Sequence, residues 1–201
     1  VFGEFSSFVP GNEDRKSASE EKQLRLVEAV FGKEHAAELV PLFQEAYPEH
    51  PLCDLVRLDH FFRPAIQKYI RLRSALNDCT WSYLFNHDMP IDGGSTPWHC
   101  ADIPYVFHNT QFVPSTQEDC TGELESLIFD SVISFARTGR PDHPGLPAWP
   151  TSTPEAEQTM IFDTKPLLRC NHDRNLMPLF EKYMKPIFEA NKEQITEKAQ
   201  H

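Results

Sequence analysis

Between Cys79 and Asn86 the stretch CTWSYLFN breaks the period that governs its surroundings. Trp81, Tyr83 and Phe85 alternate with smaller or more polar residues, the pattern of a β-strand. On either side the apolar residues recur at helical spacing instead. A lone strand set among long amphipathic helices must enter a sheet whose faces those helices cover, which points to an α/β architecture. TMIFD, Thr159 to Asp163, is a second strand candidate. Two or three strands do not make a stable parallel sheet, so the sequence describes an incomplete fold. The opening VFGEFSSF reads the same way, as the end of a buried strand and a loop with nothing ahead of them. The chain is therefore expected to be the C-terminal portion of something longer.

The helices can be placed by their punctuation. Ser17 or Ser19 can cap a first helix that carries Leu24, Val27, Val30 and Phe31 and stops at Gly32. KEHAAELVPLFQEAY forms a second, with Ala36, Leu39, Val40 and Phe43 on one face. A third is predicted from near Asp54 through AIQKYIRLRSA, with a kink at Pro64. After the strand, a loop from His87 to Pro97 turns at Asp92-Gly93-Gly94. Leu124, Leu127, Ile128, Val132 and Phe135 mark a further helix ending at Gly139, and LMPLFEKYMKPIFEA a terminal one. The charged tail, residues 192–201, is expected to fray.

Bulk properties exclude several functions. The 201 residues carry 30 acidic and 19 basic side chains, a formal net charge of -11, which would repel nucleic acid. No apolar run approaches the roughly 20 residues that span a bilayer. The five cysteines show no CxxC and no pairing with histidines at ligand spacing. They read as mostly reduced thiols, which favours a cytoplasmic setting, while export stays open because a leader would precede Val1. The pairs His87/Asp88, Asp142/His143 and His172/Asp173 lack a third metal ligand and read as solvated, as does the run NEDRK from Asn12 to Lys16. Trp81 is assigned to the core, and Phe61/Phe62 to a packing surface. No metal or cofactor is called for.

Nucleophilic ester cleavage needs a serine, an imidazole to take its proton and a carboxylate to orient that imidazole. This chain offers Glu4 after a strand end and His99 after a later strand, on successive post-strand loops, acid before base. The residues around both are distinctive. PWHCADIPYVFHN resembles the histidine motif of the type-B carboxylesterases, the cholinesterase-like branch of the α/β-hydrolases, which reads H-G-A-E-I/L-P-Y/F-V-F-G. VFGEFSSF is similar to that family's acid loop, N-x-D-E-G-S-x-F, and puts Glu4 on the acid. Ser134 to Phe162 resembles its C-terminal F-A-x-x-G-x-P stretch with P-x-W-P, and DHFFRPAIQKYIRLRSA the segment before the histidine-bearing strand. The match runs from Val1 to about Phe188.

The resemblance implies the C-terminal portion of a single α/β-hydrolase domain, a central and mostly parallel sheet flanked by helices. It implies His99 as general base, Glu4 as its carboxylate partner, and Trp98 and Cys100 beside the substrate. The nucleophile motif G-x-S-x-G is missing; GGSTP at 93–97 is the nearest stretch and does not fit. The resemblance places that serine and the oxyanion hole in a preceding polypeptide, the expected partner, with a small-molecule carboxylic ester as substrate. Three departures stand out: Cys100 and His108 occupy glycine positions of the motif, and Asp102 a glutamate position. If the loop needs positive φ at 100, a cysteine there is strained. Two other readings remain open: a cholinesterase-like domain that binds or adheres without catalysis, and an independent module.

Overall fold

In the computed structural model, residues 15–90, 94–119 and 122–199 are described. Helix α1 (Glu20–Phe31) starts where Ser19 accepts the Lys22 amide on its hydroxyl (3.3 Å) and ends at Gly32, whose φ of 78° suits a residue without Cβ. Helix α2 (Lys33–Ala46) follows immediately. Val27 and Phe31 of α1 face Ala36, Leu39 and Phe43 of α2 in the core, whereas Leu24 is exposed.

The predicted third helix is divided. Leu52–Arg57 is a tight 3-10 turn, and helix α3 spans Arg63–Leu76. Pro64 lies in the first turn of α3, where its missing N–H has no partner to lose, so it starts the helix instead of kinking it. The break is held by Asp59, whose Oδ1 accepts the amides of Phe61 and Phe62, each at 2.8 Å. The strand β1 (Ser82–Phe85) comes next, then a short helix α4 (Ile103–Val106) and the long helix α5 (Glu123–Thr138), stopped by Gly139 in the left-handed region. Strands β2 (Gln158–Phe162) and β3 (Leu167–Cys170) and helix α6 (Leu176–Ala199) complete the order. Helix α6 includes most of the charged tail. The strand β3 carries no alternation and went unpredicted; it forms by hairpin pairing with β2.

The sheet runs β1-β2-β3, with β1 and β2 parallel (Leu84 opposite Ile161) and β2 and β3 antiparallel. A parallel pair needs a crossover, and α4 and α5 supply it. The period-2 alternation then divides the core. Leu84 and Ile161 join α1, α2 and α6 on one face; Phe85, Met160 and Phe162 pack with Tyr105, Leu124, Ile128 and Trp149 on the other. Helices thus cover both faces of a mixed sheet, the α/β layering expected.

Buried charge ties these layers together. The Arg63 guanidinium at the head of α3 donates to both oxygens of Asp173 (2.8 and 2.7 Å) and pairs with Glu157 at 2.9 Å. Gln67 (2.7 Å) and Tyr47 (3.0 Å) also donate to Asp173, which is 1% exposed. The predicted solvation of His172 and Asp173 is therefore overturned: a carboxylate with four donors is stable inside the protein. Burial alone would raise Asp173, but Arg63 outweighs it and holds the carboxyl far below its usual range. The His172 side chain is buried as well, edge-on to Tyr47. Burial, aided by Arg63 and Arg169 and opposed by Asp173, pushes its imidazole down to about 4.

Two outcomes follow from this cluster. Removing the shared cation by Arg63→Met leaves the buried carboxylates of Asp173 and Glu157 without it and is expected to cost about 3–5 kcal/mol in denaturant unfolding. The triple substitution Arg63→Met/Asp173→Leu/Glu157→Gln, which leaves no buried charge behind, is expected to recover a large part of that loss. His172 acts in a different pH window. Unfolded, it binds a proton below about pH 6.5; folded, only near 4, so its contribution is complete above 6.5 and declines as the pH falls. Between pH 7 and pH 5 the unfolding free energy should drop by about 2 kcal/mol, and His172→Phe should remove that dependence.

Candidate active site

His99 lies beyond the C-terminal end of β1, the edge at which open parallel sheets gather ligands. The chain leaves β1 through Asn86, folds back through a two-way backbone pairing of Met89 with Ser95 (2.8 and 3.0 Å), and passes through buried Ser95, Thr96 and Pro97. It then makes a tight turn in which the Ala101 amide donates to the Trp98 carbonyl (3.1 Å). His99 and Cys100 are the two central residues of that turn and both are exposed. The imidazole is thus displayed at a turn tip whose stem is buried.

The turn explains the strained cysteine. Cys100 has φ of 69°, the left-handed value that a type II turn requires at its third position. His108, at the second glycine position of the motif, has φ of 53°. Both departures from glycine therefore fall where the backbone is left-handed. The turn is anchored from the strand: Tyr83 on β1 donates its hydroxyl to Asp102 at 2.7 Å. Burial and the adjacent Asp102 carboxylate raise the Tyr83 phenol well above its ordinary value, so it remains a donor across the physiological range.

Of the predicted site residues, Trp98 and Cys100 flank His99 directly in the chain. Trp98 is half-buried and packs against the second core cluster, which fixes one side of the turn. Glu4 lies outside the described residues. One neighbour was read from the sequence as packing surface: the Phe62 ring stacks on the His99 imidazole, with centroids 4.8 Å apart and planes 12° from parallel. Phe62 is held there by the Asp59 cap. The available signal was two adjacent phenylalanines ahead of Pro64, which cannot both face the core from one helix start; both are about two-fifths exposed. An apolar pocket of about 220 Å³ lies between β1 and α5, lined by Trp81, Phe135 and Trp149 among others, and includes none of Trp98, His99 and Cys100. Among the described residues no cluster of histidine, cysteine and carboxylate side chains has the arrangement of a metal centre. Cys53, Cys79, Cys100 and Cys170 are free thiols.

The layered α/β architecture agrees with comparisons to known proteins. A solved esterase from the anaerobe Clostridium hathewayi, described as able to hydrolyse aliphatic aromatic polyesters, superposes with a TM-score of 0.81 at 39% identity, over 90% of this chain and 36% of its own. A PNB esterase superposes at 0.52 with 22% identity, over 86% of this chain and 35% of its own, which speaks to the fold. The phenmedipham hydrolase of Pseudarthrobacter oxydans is 32% identical over 77 residues, 35% of this chain and 16% of that enzyme. The chain thus spans about a third of the length of these solved esterases. Their shared architecture makes the described layers part of an α/β-hydrolase fold. The Carboxylesterase family model matches residues 33–177, most of the chain, and the protein belongs to the carboxylesterase family.

Proposed function

We propose that this chain supplies the base and the acid of a serine carboxylesterase. The observation that carries the reading is the placement of His99: exposed on a tight turn beyond the C-terminal end of a parallel strand, with its ring backed by Phe62. His99 takes the proton of a serine hydroxyl as the oxygen attacks the carbonyl carbon of an ester, then passes that proton to the departing alcohol. A water, deprotonated by the same ring, releases the acid. Glu4 accepts a hydrogen bond from the Nδ1–H and stabilises the imidazolium. The serine and the oxyanion donors come from a polypeptide that precedes Val1. Two features support such a partner: β1 pairs on one edge only among the described residues, and Ile103, Phe107 and Phe112 are large apolar side chains left exposed.

Trp98 and Cys100 are assigned to the walls of the substrate site, on either side of the base. A thiol at 100 narrows the approach to the imidazole relative to the motif's glycine, at the cost of a left-handed backbone.

In the complete polypeptide, His99→Ala is expected to lower kcat/KM for a simple carboxylic ester by about 10³-fold or more, and Glu4→Gln by at least about 10²-fold. A serine-directed fluorophosphonate should label one serine upstream of Val1 stoichiometrically. Unchanged turnover in His99→Ala sinks the assignment, and failure of any serine to label favours a non-catalytic relative. Cys100→Gly should stabilise the protein by about 1 kcal/mol, read as a rise in Tm, because glycine adopts φ near 69° without the Cβ penalty. It should also admit bulkier esters, read as a rise in their kcat/KM relative to acetate esters.

A further inference from the structure

Arg15 belongs to the charged run that composition assigns to solvent, yet its residue is 5% exposed. Its guanidinium is shared between two partners. Nε donates to Asp54 Oδ1 at 2.6 Å and Nη2 to Asp54 Oδ2, a bidentate grip on the 3-10 turn. Nη1 donates to Asp88 Oδ2 at 2.9 Å and to the Gly94 carbonyl at 3.1 Å. Asp88 and Gly94 lie on the outgoing and returning arms of the loop that leads from β1 to His99. One side chain therefore grips both arms.

The same network meets the loop at a third point. Asp54, fully buried, also accepts from His50 Nδ1 (2.9 Å), and the Asn86 amide donates to His50 Nε2 (2.6 Å). Asn86 is the first residue after β1. Burial alone would raise Asp54, but His50 and Arg15 hold its carboxyl below the usual range, so the grip stays charged. Lys16 adds a second cation to Asp88 at 2.7 Å. At Gly94, whose φ is 105°, a Cβ would come within 2.7 Å of the Lys16 ammonium, so the returning arm is packed closely against this pair of cations.

We propose that Arg15 is a positioning residue for His99: by bridging Asp54, Asp88 and Gly94 it sets where the returning arm, and hence the turn at 98–101, stands relative to the sheet. The inference rests on the reading of His99 as the base. Its physical ground is that the bidentate Arg15–Asp54 fork adds geometric specificity, while a buried charge cluster of this kind adds little net stability over apolar packing. Ester cleavage is sensitive to such geometry, since a displacement of about 1 Å at a catalytic group can cost about 10²-fold in rate. A lysine at 15 keeps the charge but has no planar fork to reach Asp54 and both arms together.

The test uses the complete polypeptide, with active sites counted by end-point fluorophosphonate labelling and turnover given per labelled serine. Arg15→Lys is expected to lower kcat by about 10- to 100-fold with KM changed by less than about threefold. Asp88→Asn, which spares the Asp54 grip and is the milder change for folding, should lower kcat by about 3- to 10-fold. A purely structural role would reduce Tm and the number of labelled sites while leaving kcat per site intact, and that result in both variants overturns the inference. His99→Ala, run alongside, separates the two readings. If His99→Ala loses turnover while Arg15→Lys and Asp88→Asn keep it, the positioning role alone is wrong. If His99→Ala keeps turnover, the base assignment and the inference that rests on it are both wrong.

Discussion

The bidentate pairing of Arg63 with Asp173 is the contact on which the arrangement of layers depends. Arg63 heads α3, Asp173 precedes α6, Tyr47 caps α2 and Glu157 leads into β2, so four elements distant in sequence meet around one ion pair. None of these groups can be hydrated at its depth, and each therefore needs the others. Apolar packing alone would tolerate small slides of α3 and α6 over the sheet; a fork of two hydrogen bonds does not.

A second buried arginine repeats the device closer to the chemistry. Arg15 does for the loop after β1 what Arg63 does for the helices, joining a backbone carbonyl and two carboxylates into one fixed unit. Between these rigid points, the turn from Trp98 to Ala101 is held by the Tyr83–Asp102 bond on one side and the packing of Trp98 on the other. The exposed imidazole at its tip is thus a chemical group displayed on a buried support. That division, with scaffold buried and reacting group displayed, is what a loop-borne site on an α/β sheet requires.

Much of this was legible in local patterns. The Ser19 cap, the Gly32 and Gly139 stops, the strand at Ser82–Phe85 and the strand at Gln158–Phe162 all follow from short-range rules, because capping, left-handed termination and period-2 alternation are decided within a few residues. The histidine turn was legible too, and the motif's glycine at 100 raised as a condition the positive φ that Cys100 adopts. What local reading missed was long-range. Pro64 looked like a kink because nothing nearby announced the Asp59 cap. The strand β3 formed because β2 presented an edge, and Phe62 became a neighbour of His99 only when the break before α3 met the turn after β1.

By itself the sequence determined the periods, the caps and the chemistry on offer: an α/β layering, a histidine in a turn, a carboxylesterase signature in separated motifs. These rest on interactions among residues close in the chain, and their patterns are visible in one dimension. Only the tertiary structure decided which charges go inside. Arg15, His172 and Asp173 have the composition of solvated residues, and each is buried because partners 39 to 126 residues away satisfy it or enclose it. Burial of a charge depends on the simultaneous arrival of its partners, and that is a property of the fold and not of any segment.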